Sequence, residues 1–260
     1  MTPSRLGLTA RKLGWLVAPS AMAWIGARVD FHWRTLPDMW GASGPLNGQQ
    51  MRLELITQLL ASYRPTVIVE TGTFRGSTTA WFASWGIEVI SVEVNRRYYL
   101  YSKYRLRSQR NVRLFWGDTR RVLQALFTKR PALVDQRLLF YLDAHSETDH
   151  PVGEELETIE SYCRNCVIVI DDFRVDDDEG YGYDSGEGWH LGLHTVPASF
   201  AAFWPTARAI EETGGRRGAV LLGRGDGVTN LRSLPGARAA SDVSNRVNLQ
   251  SISVVASRST

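Results

Sequence analysis

From about residue 48 the chain alternates stretches of helical periodicity with short, wholly apolar runs. MRLELITQLLASY repeats its apolar residues at helical intervals and is stopped before Pro65. Five runs then carry β character: TVIVE, EVISVE, VRLFWG, RLLFYLD and CVIVIDD. The segments between them, STTAWFASWG, NRRYYLYSKYRLRSQ, TRRVLQALFTKR and GEELETIESY, have helical length. Apolar strands separated by helices predict parallel βαβ units, with a sheet buried on both faces.

The end of the chain breaks that rhythm. ARAIEETGGRRGAVLLGRG reads as strand, Gly214-Gly215 turn and strand, which predicts a hairpin closing the sheet. Residues 225–260 are rich in Ser, Arg, Ala and Asn and are expected to form a loosely packed tail. Residues 1–47 are expected to form an N-terminal helical arm, leaving 48–224 as the main domain. Within the arm, Arg5, Arg11 and Lys12 precede the uncharged stretch from Leu13 to Ala27. That stretch is shorter than the about 20 apolar residues of a spanning helix. A helix packed on the domain or on a second subunit is expected, with a membrane-surface helix and a signal peptide as alternatives.

Composition adds limits. At 260 residues, 43% hydrophobic and 22% charged, the chain can bury one sizeable core. Net charge is only +3, and no dense basic run interleaved with aromatics is read, so nucleic acid is not expected as a partner. Cys163 and Cys166 have no second pair to complete a zinc site, and they adjoin an apolar strand. Buried free thiols are expected, in keeping with a cytoplasmic, reducing location or a membrane-associated one.

Ligands of an open parallel sheet sit beyond the carboxyl ends of its strands. Each apolar run here ends in acid: Glu70, Glu93, Asp118, Asp143, then Asp171 with Asp172. The first strand leads into Glu70-Thr-Gly-Thr-Phe-Arg-Gly, in which Gly72 and Gly76 permit close backbone approach and Ser77 can cap the next helix. A carboxylate at this position repels a pyrophosphate and suits a cationic ligand. Glu93 stands where an acid grips both hydroxyls of a ribose. A cationic nucleoside without phosphate describes S-adenosylmethionine.

On these residues, the stretch from about Glu54 to Gly223 resembles the class I S-adenosylmethionine-dependent methyltransferases, and within them the macrocin and cephamycin-type metal-dependent O-methyltransferases. The resemblance implies an α/β fold: a Rossmann-like three-layer αβα sandwich on a mostly parallel seven-stranded sheet with an antiparallel C-terminal hairpin. It implies that Glu70, Gly72, Thr73, Gly76 and Ser77 surround the methionine end of the cofactor. By the same resemblance Glu93 holds the ribose, and Gly117 and Asp118 flank the adenine.

Asp143, Asp171 and Asp172 would repel one another on one rim unless a cation sat among them, and hard oxygen donors suit Mg²⁺. In the metal-dependent relatives, acids at these places bind a divalent ion that chelates the acceptor hydroxyl. Some relatives carry a lysine base just after the fourth-strand acid. This chain has LDAHSETDH there, so His145 is the expected base, with Asp143 as its alternative and His150 behind both. The segment DDDEGYGYDSGEGWHLGLH has the length and glycines of a substrate loop, with Tyr181, Tyr183 and Trp189 as stacking faces. His190 and His194 have a helical ligand spacing, but the glycines around them argue against a helix. The expected activity is methyl transfer to a hydroxyl of a sugar or secondary metabolite. A small hydroxylated acceptor is the expected partner, with homodimer formation left open. The alternatives are a nicotinamide-dependent oxidoreductase and a non-catalytic, cofactor-binding or membrane-associated protein.

Overall fold

The computed structural model describes residues 23–28, 30, 44–145 and 149–240. Most of the expected arm (residues 1–22 and 31–43) and the end of the tail (241–260) lie outside the described residues.

The five apolar runs form strands β1 (Val67–Thr71), β2 (Glu88–Glu93), β3 (Val112–Trp116), β4 (Leu138–Leu142) and β5 (Cys166–Asp171). All neighbouring pairs among them are parallel, in the spatial order β5-β4-β1-β2-β3. The helices between them are α1 (Gln50–Tyr63) before β1, α2 (Ser77–Ala83), α3 (Arg96–Arg105), α4 (Thr119–Lys129) and α5 (Val152–Tyr162). Alternate residues of β1, β2, β4 and β5 enter opposite cores. Val67, Val69, Phe140 and Ile168 pack with Leu123 and Phe127 of α4 and Leu156 of α5. Ile68, Leu139, Tyr141 and Val169 pack with Leu55, Ile56 and Leu59 of α1 and Phe82 of α2. The sheet is therefore covered on both faces, as a parallel sheet of apolar runs requires.

After β5, the short strands β6 (Ser185–Gly186) and β7 (Trp189–His190) pair antiparallel apart from the main sheet. Beyond β5 the main sheet continues through β9 (Ala219–Arg224), β8 (Ala201–Pro205) and β10 (Ala237–Ala239). β9 runs antiparallel to both β5 and β8, so it is a reversed strand inserted between them, and β10, antiparallel to β8, ends the sheet as a second reversed strand. This is the Rossmann-like arrangement with an antiparallel C-terminal pair that the resemblance implied, with eight strands in place of seven.

Two expectations are corrected here. The hairpin's first strand is AAFWP and not ARAIEET, which supplies only a 3-10 turn at Ala209–Glu211. AAFWP follows Pro197 and ends at Pro205, so it lacks the flanks of a strand in sequence. Residues 226–239, read as tail, form α6 (Asp226–Ser233) and β10. Leu231 and Leu234 are buried in the core shared with α1, and this burial holds a segment of weak apolar content. Cys163 and Cys166 are free and buried, as expected, and burial pushes each thiol up to about 12.

Candidate functional site

The carboxyl ends of β1, β2, β4 and β5 share one rim, and it carries the acids. The turn after β1 is built by close packing. Gly72 has φ +85°, and a Cβ there would overlap the Asp143 carbonyl. Gly76, at φ +70°, lies against Ser102 and Leu106 at the end of α3. What the two glycines approach is thus the end of β4 and α3. Gly76, without a side-chain bond, takes the cap position of α2, and Ser77 is its first helical residue, which corrects the expected Ser77 cap.

Glu70 is 1% exposed and accepts hydrogen bonds from Thr79 and Ser91, whose hydroxyl also meets Thr73 Oγ1 at 2.6 Å. Its carboxylate braces the turn from beneath. Burial pushes it up to about 7, against the pull of its two hydroxyl donors. Glu93 accepts from the backbone N–H of Phe74 and of Asn95, each at 2.7 Å. Burial raises its carboxyl in spite of these bonds. Two acceptor sites used out of about four leave it able to receive further donors. Gly117 N–H donates to the Glu93 carbonyl, while Asp118 caps α4 and pairs with Arg120 at 2.8 Å. Hydrogen bonding from Arg120 lowers the Asp118 carboxyl despite partial burial.

The three aspartates expected to hold a metal divide into two groups. Asp171 is fully buried and committed: it pairs with Arg52 of α1 and accepts from Tyr141 Oη at 2.6 Å and Asn47 Nδ2 at 3.2 Å. The next residue along the chain behaves differently. Asp172, in the left-handed region at φ +53°, is bonded by Arg217 Nε at 2.6 Å and stands with Asp143 and His145. One donor atom from each of Asp143, His145 and Asp172 lies within 4.8 Å of the others. Desolvation, reinforced by Asp171 and Asp172, holds the Asp143 carboxyl well above its ordinary range, yet a third of its side chain is exposed. Desolvation and Asp171 also raise Asp172.

His145 is the pivot of this group. Its imidazole is 1% exposed, with Nδ1 2.9 Å from Asp184 Oδ2. Nε2 is buried without a hydrogen-bond partner, 3.9 Å from Asp143 Oδ1. A proton held on Nδ1 by Asp184 leaves Nε2 with a free lone pair aimed among the carboxylates. Burial opposes the imidazolium, but Asp184 and Asp172 outweigh it and the net shift is upward. Asp184 in turn pairs with Arg217 and is lowered by His145 and Arg217 in spite of burial.

Asp184, Arg217, Arg52 and Tyr141 were not singled out in the sequence. Asp184 lies in the expected substrate loop, and its only sequence signal is its position among the glycines of that loop. In the same loop Tyr181 is buried with its hydroxyl on the Ala207 carbonyl, so it offers no stacking face. Tyr183 is exposed, and Trp189 stacks on His150. His190 is in a short strand and His194 in a 3-10 turn.

No family model and no curated protein matches the chain. Among solved structures it is similar to the O-methyltransferase TomG from Streptomyces achromogenes, solved with SAM: 18% identity over 78% of this chain and 90% of that one, TM-score 0.49. A putative O-methyltransferase from Klebsiella pneumoniae gives 17% identity, 82% and 94% coverage, and TM-score 0.48. An O-methyltransferase from Bacillus cereus in complex with SAH gives 13% identity, 84% and 97%, and TM-score 0.47. At these levels the likenesses decide nothing about activity, and the functional reading stands on the rim itself.

Proposed function

We propose that the chain is an S-adenosylmethionine-dependent O-methyltransferase that acts, with a divalent cation, on a hydroxyl of a sugar or secondary metabolite. The observation that carries this reading is the rim group of Asp143, His145 and Asp172, with an orphaned imidazole nitrogen, beside a glycine turn braced by Glu70 and Glu93. Glu93, with acceptor capacity left over, suits a pair of ribose hydroxyls. The turn's two glycines hold the backbone where a nucleoside cofactor meets such sheets.

The donor set fits a cation. Asp143 and Asp172 offer carboxylate oxygens, and Asp171, neutralised by Arg52, is outside the set. With His145 as a third donor, Mn²⁺ suits the site at least as well as Mg²⁺. A bound divalent cation would acidify the acceptor hydroxyl, and the cofactor would supply the methyl group. His145 receives the hydroxyl proton at Nε2 while Asp184 fixes the ring. When Nε2 is instead a metal ligand, Asp143 is the remaining base. The buried, carboxylate-rich surroundings favour a neutral acceptor over an anionic one.

The test is transfer of labelled methyl from S-adenosylmethionine to a panel of polyhydroxylated acceptors with Mg²⁺, Mn²⁺ or chelator. Label incorporation that needs the metal and is lost in Asp143→Asn and Asp172→Asn is expected. Incorporation unchanged by chelator refutes the metal role, and hydride transfer to a nicotinamide cofactor refutes the class.

A further inference from the structure

The chain's thirty basic residues barely exceed its twenty-seven acids, and its two longest stretches without an acid are 1–29 and 94–117. Together they hold eleven Lys and Arg. The second stretch interleaves its cations with Tyr98, Tyr99, Tyr101, Tyr104, Phe115 and Trp116, so the chain does contain a basic, aromatic run. The structure brings residues 23–28 of the first stretch against the second. The helical residues 23–28 lie on α3, with Gly26 against Arg97, and Arg97 is bonded to Asp30 at 2.7 Å. The acid that ends the first stretch is thereby neutralised.

Arg96, Leu100, Lys103, Tyr104 and Arg107 recur at helical spacing, and the last four line a groove of about 350 Å³ whose opposite wall is Trp24, Ala27 and Arg28. Ala27 and Leu100 give the groove apolar sides, and the cations rim it. Trp24 and Trp116 are each 51% exposed, and Ile25 beside Trp24 is 47% exposed. Arg28 lies over Trp24, Arg107 over Tyr104 and Arg96 over Trp116, at 4.9, 4.4 and 4.6 Å. Among the described residues, Arg96, Lys103, Arg107 and Arg110 make no ion pair. Cations without a carboxylate partner among the described residues, beside exposed indoles, form a surface that neither the core nor the rim accounts for.

We infer that this face docks on the surface of an anionic phospholipid bilayer. Basic side chains meet the headgroup charge, and Trp24, Ile25 and Trp116 enter the interface, where indoles are favoured. Nucleic acid would reward the cations and the rings but not Ile25 or an apolar groove. The chain leading into residue 23 adds Arg5, Arg11 and Lys12 with an uncharged, apolar stretch, which suits the same surface. No described helix is long and apolar enough to cross a membrane. α3 begins at Arg96, three residues after Glu93, so docking brings the rim close to the bilayer. The inference does not depend on the reaction at that rim.

The test is sedimentation of the full chain with vesicles of phosphatidylcholine alone or with one-third phosphatidylglycerol, at low and high salt. Binding to the anionic vesicles only, weakened by salt and lowered more than about tenfold in Lys103→Glu/Arg107→Glu, is expected. Trp24→Ala should also weaken it while leaving the salt dependence, and its circular dichroism serves as a second, charge-neutral control of folding. Absence of vesicle binding overturns the inference. So does binding that a folded double variant retains, or equal binding to heparin or DNA that Trp24→Ala leaves unchanged.

Discussion

Asp171 and Asp172 are adjacent, and the fold gives them opposite tasks. Asp171 is sealed against Arg52, Tyr141 and Asn47, whereas Asp172 stays with Asp143 and His145. Removing the Asp171 carboxylate strands a buried guanidinium, so Asp171→Ala should cost about 3–5 kcal/mol in urea unfolding. An equally stable variant would contradict the pairing. Asp184→Asn weakens the hydrogen bond that orients His145 and, with it, the ion pair to Arg217. It should lower kcat about ten- to hundredfold and leave the KM for S-adenosylmethionine unchanged. Glu155 of α5 is buried, with Oε1 lacking any partner, and burial pushes it from 4.5 up to about 7. The folded chain then keeps a proton that the unfolded chain releases above about pH 4.5. Its share of stability is whole below that pH and is lost as pH rises through about 7, on the order of 3 kcal/mol. Glu155→Gln should flatten the decline between these values, with Glu70 keeping its own share; an unchanged slope in denaturant midpoints across that window would refute the assignment.

At the level of elements, the five parallel strands were legible as short apolar runs, which need no partner to be recognised; β1, β2, β4 and β5 are buried on both faces, and β3, at the edge of the sheet, is largely exposed. The acids at their ends were legible for the same reason, since strand termini fix the rim. The pairing of those acids was not. Arg52 lies 119 residues from Asp171, and Arg217 lies 33 from Asp184; nothing local marks which carboxylate a distant cation will neutralise. AAFWP and residues 226–239 were missed because their burial comes from neighbours in the sheet and from α1, not from a pattern of their own. The turn after β1 offers a test at this scale. Gly72→Ala would meet the Asp143 backbone as well as the left-handed strain, whereas Gly86, at φ +73°, has open space around a Cβ. Gly86→Ala should cost about 1 kcal/mol of strain, and Gly72→Ala appreciably more, together with loss of nucleoside binding. Equal costs in thermal unfolding would mean that the turn does not rest on β4.

For the whole molecule, a doubly covered sheet fixes one rim, and the side chains gathered there are what give the fold a use. Glu93 can hold hydroxyls, His145 can take a proton, and Asp143 with Asp172 can hold a cation, all within one edge of the sheet. The basic, aromatic face along α3 adds a means of placing that rim near a charged surface. Calorimetric titration of S-adenosylhomocysteine, with Mg²⁺ or Mn²⁺ and with chelator, tests the central claim most directly. The account predicts saturable one-to-one binding that Glu93→Gln weakens by at least about tenfold, or 1.4 kcal/mol. No heat of binding in any of these conditions, with NADH binding in its place, would contradict it.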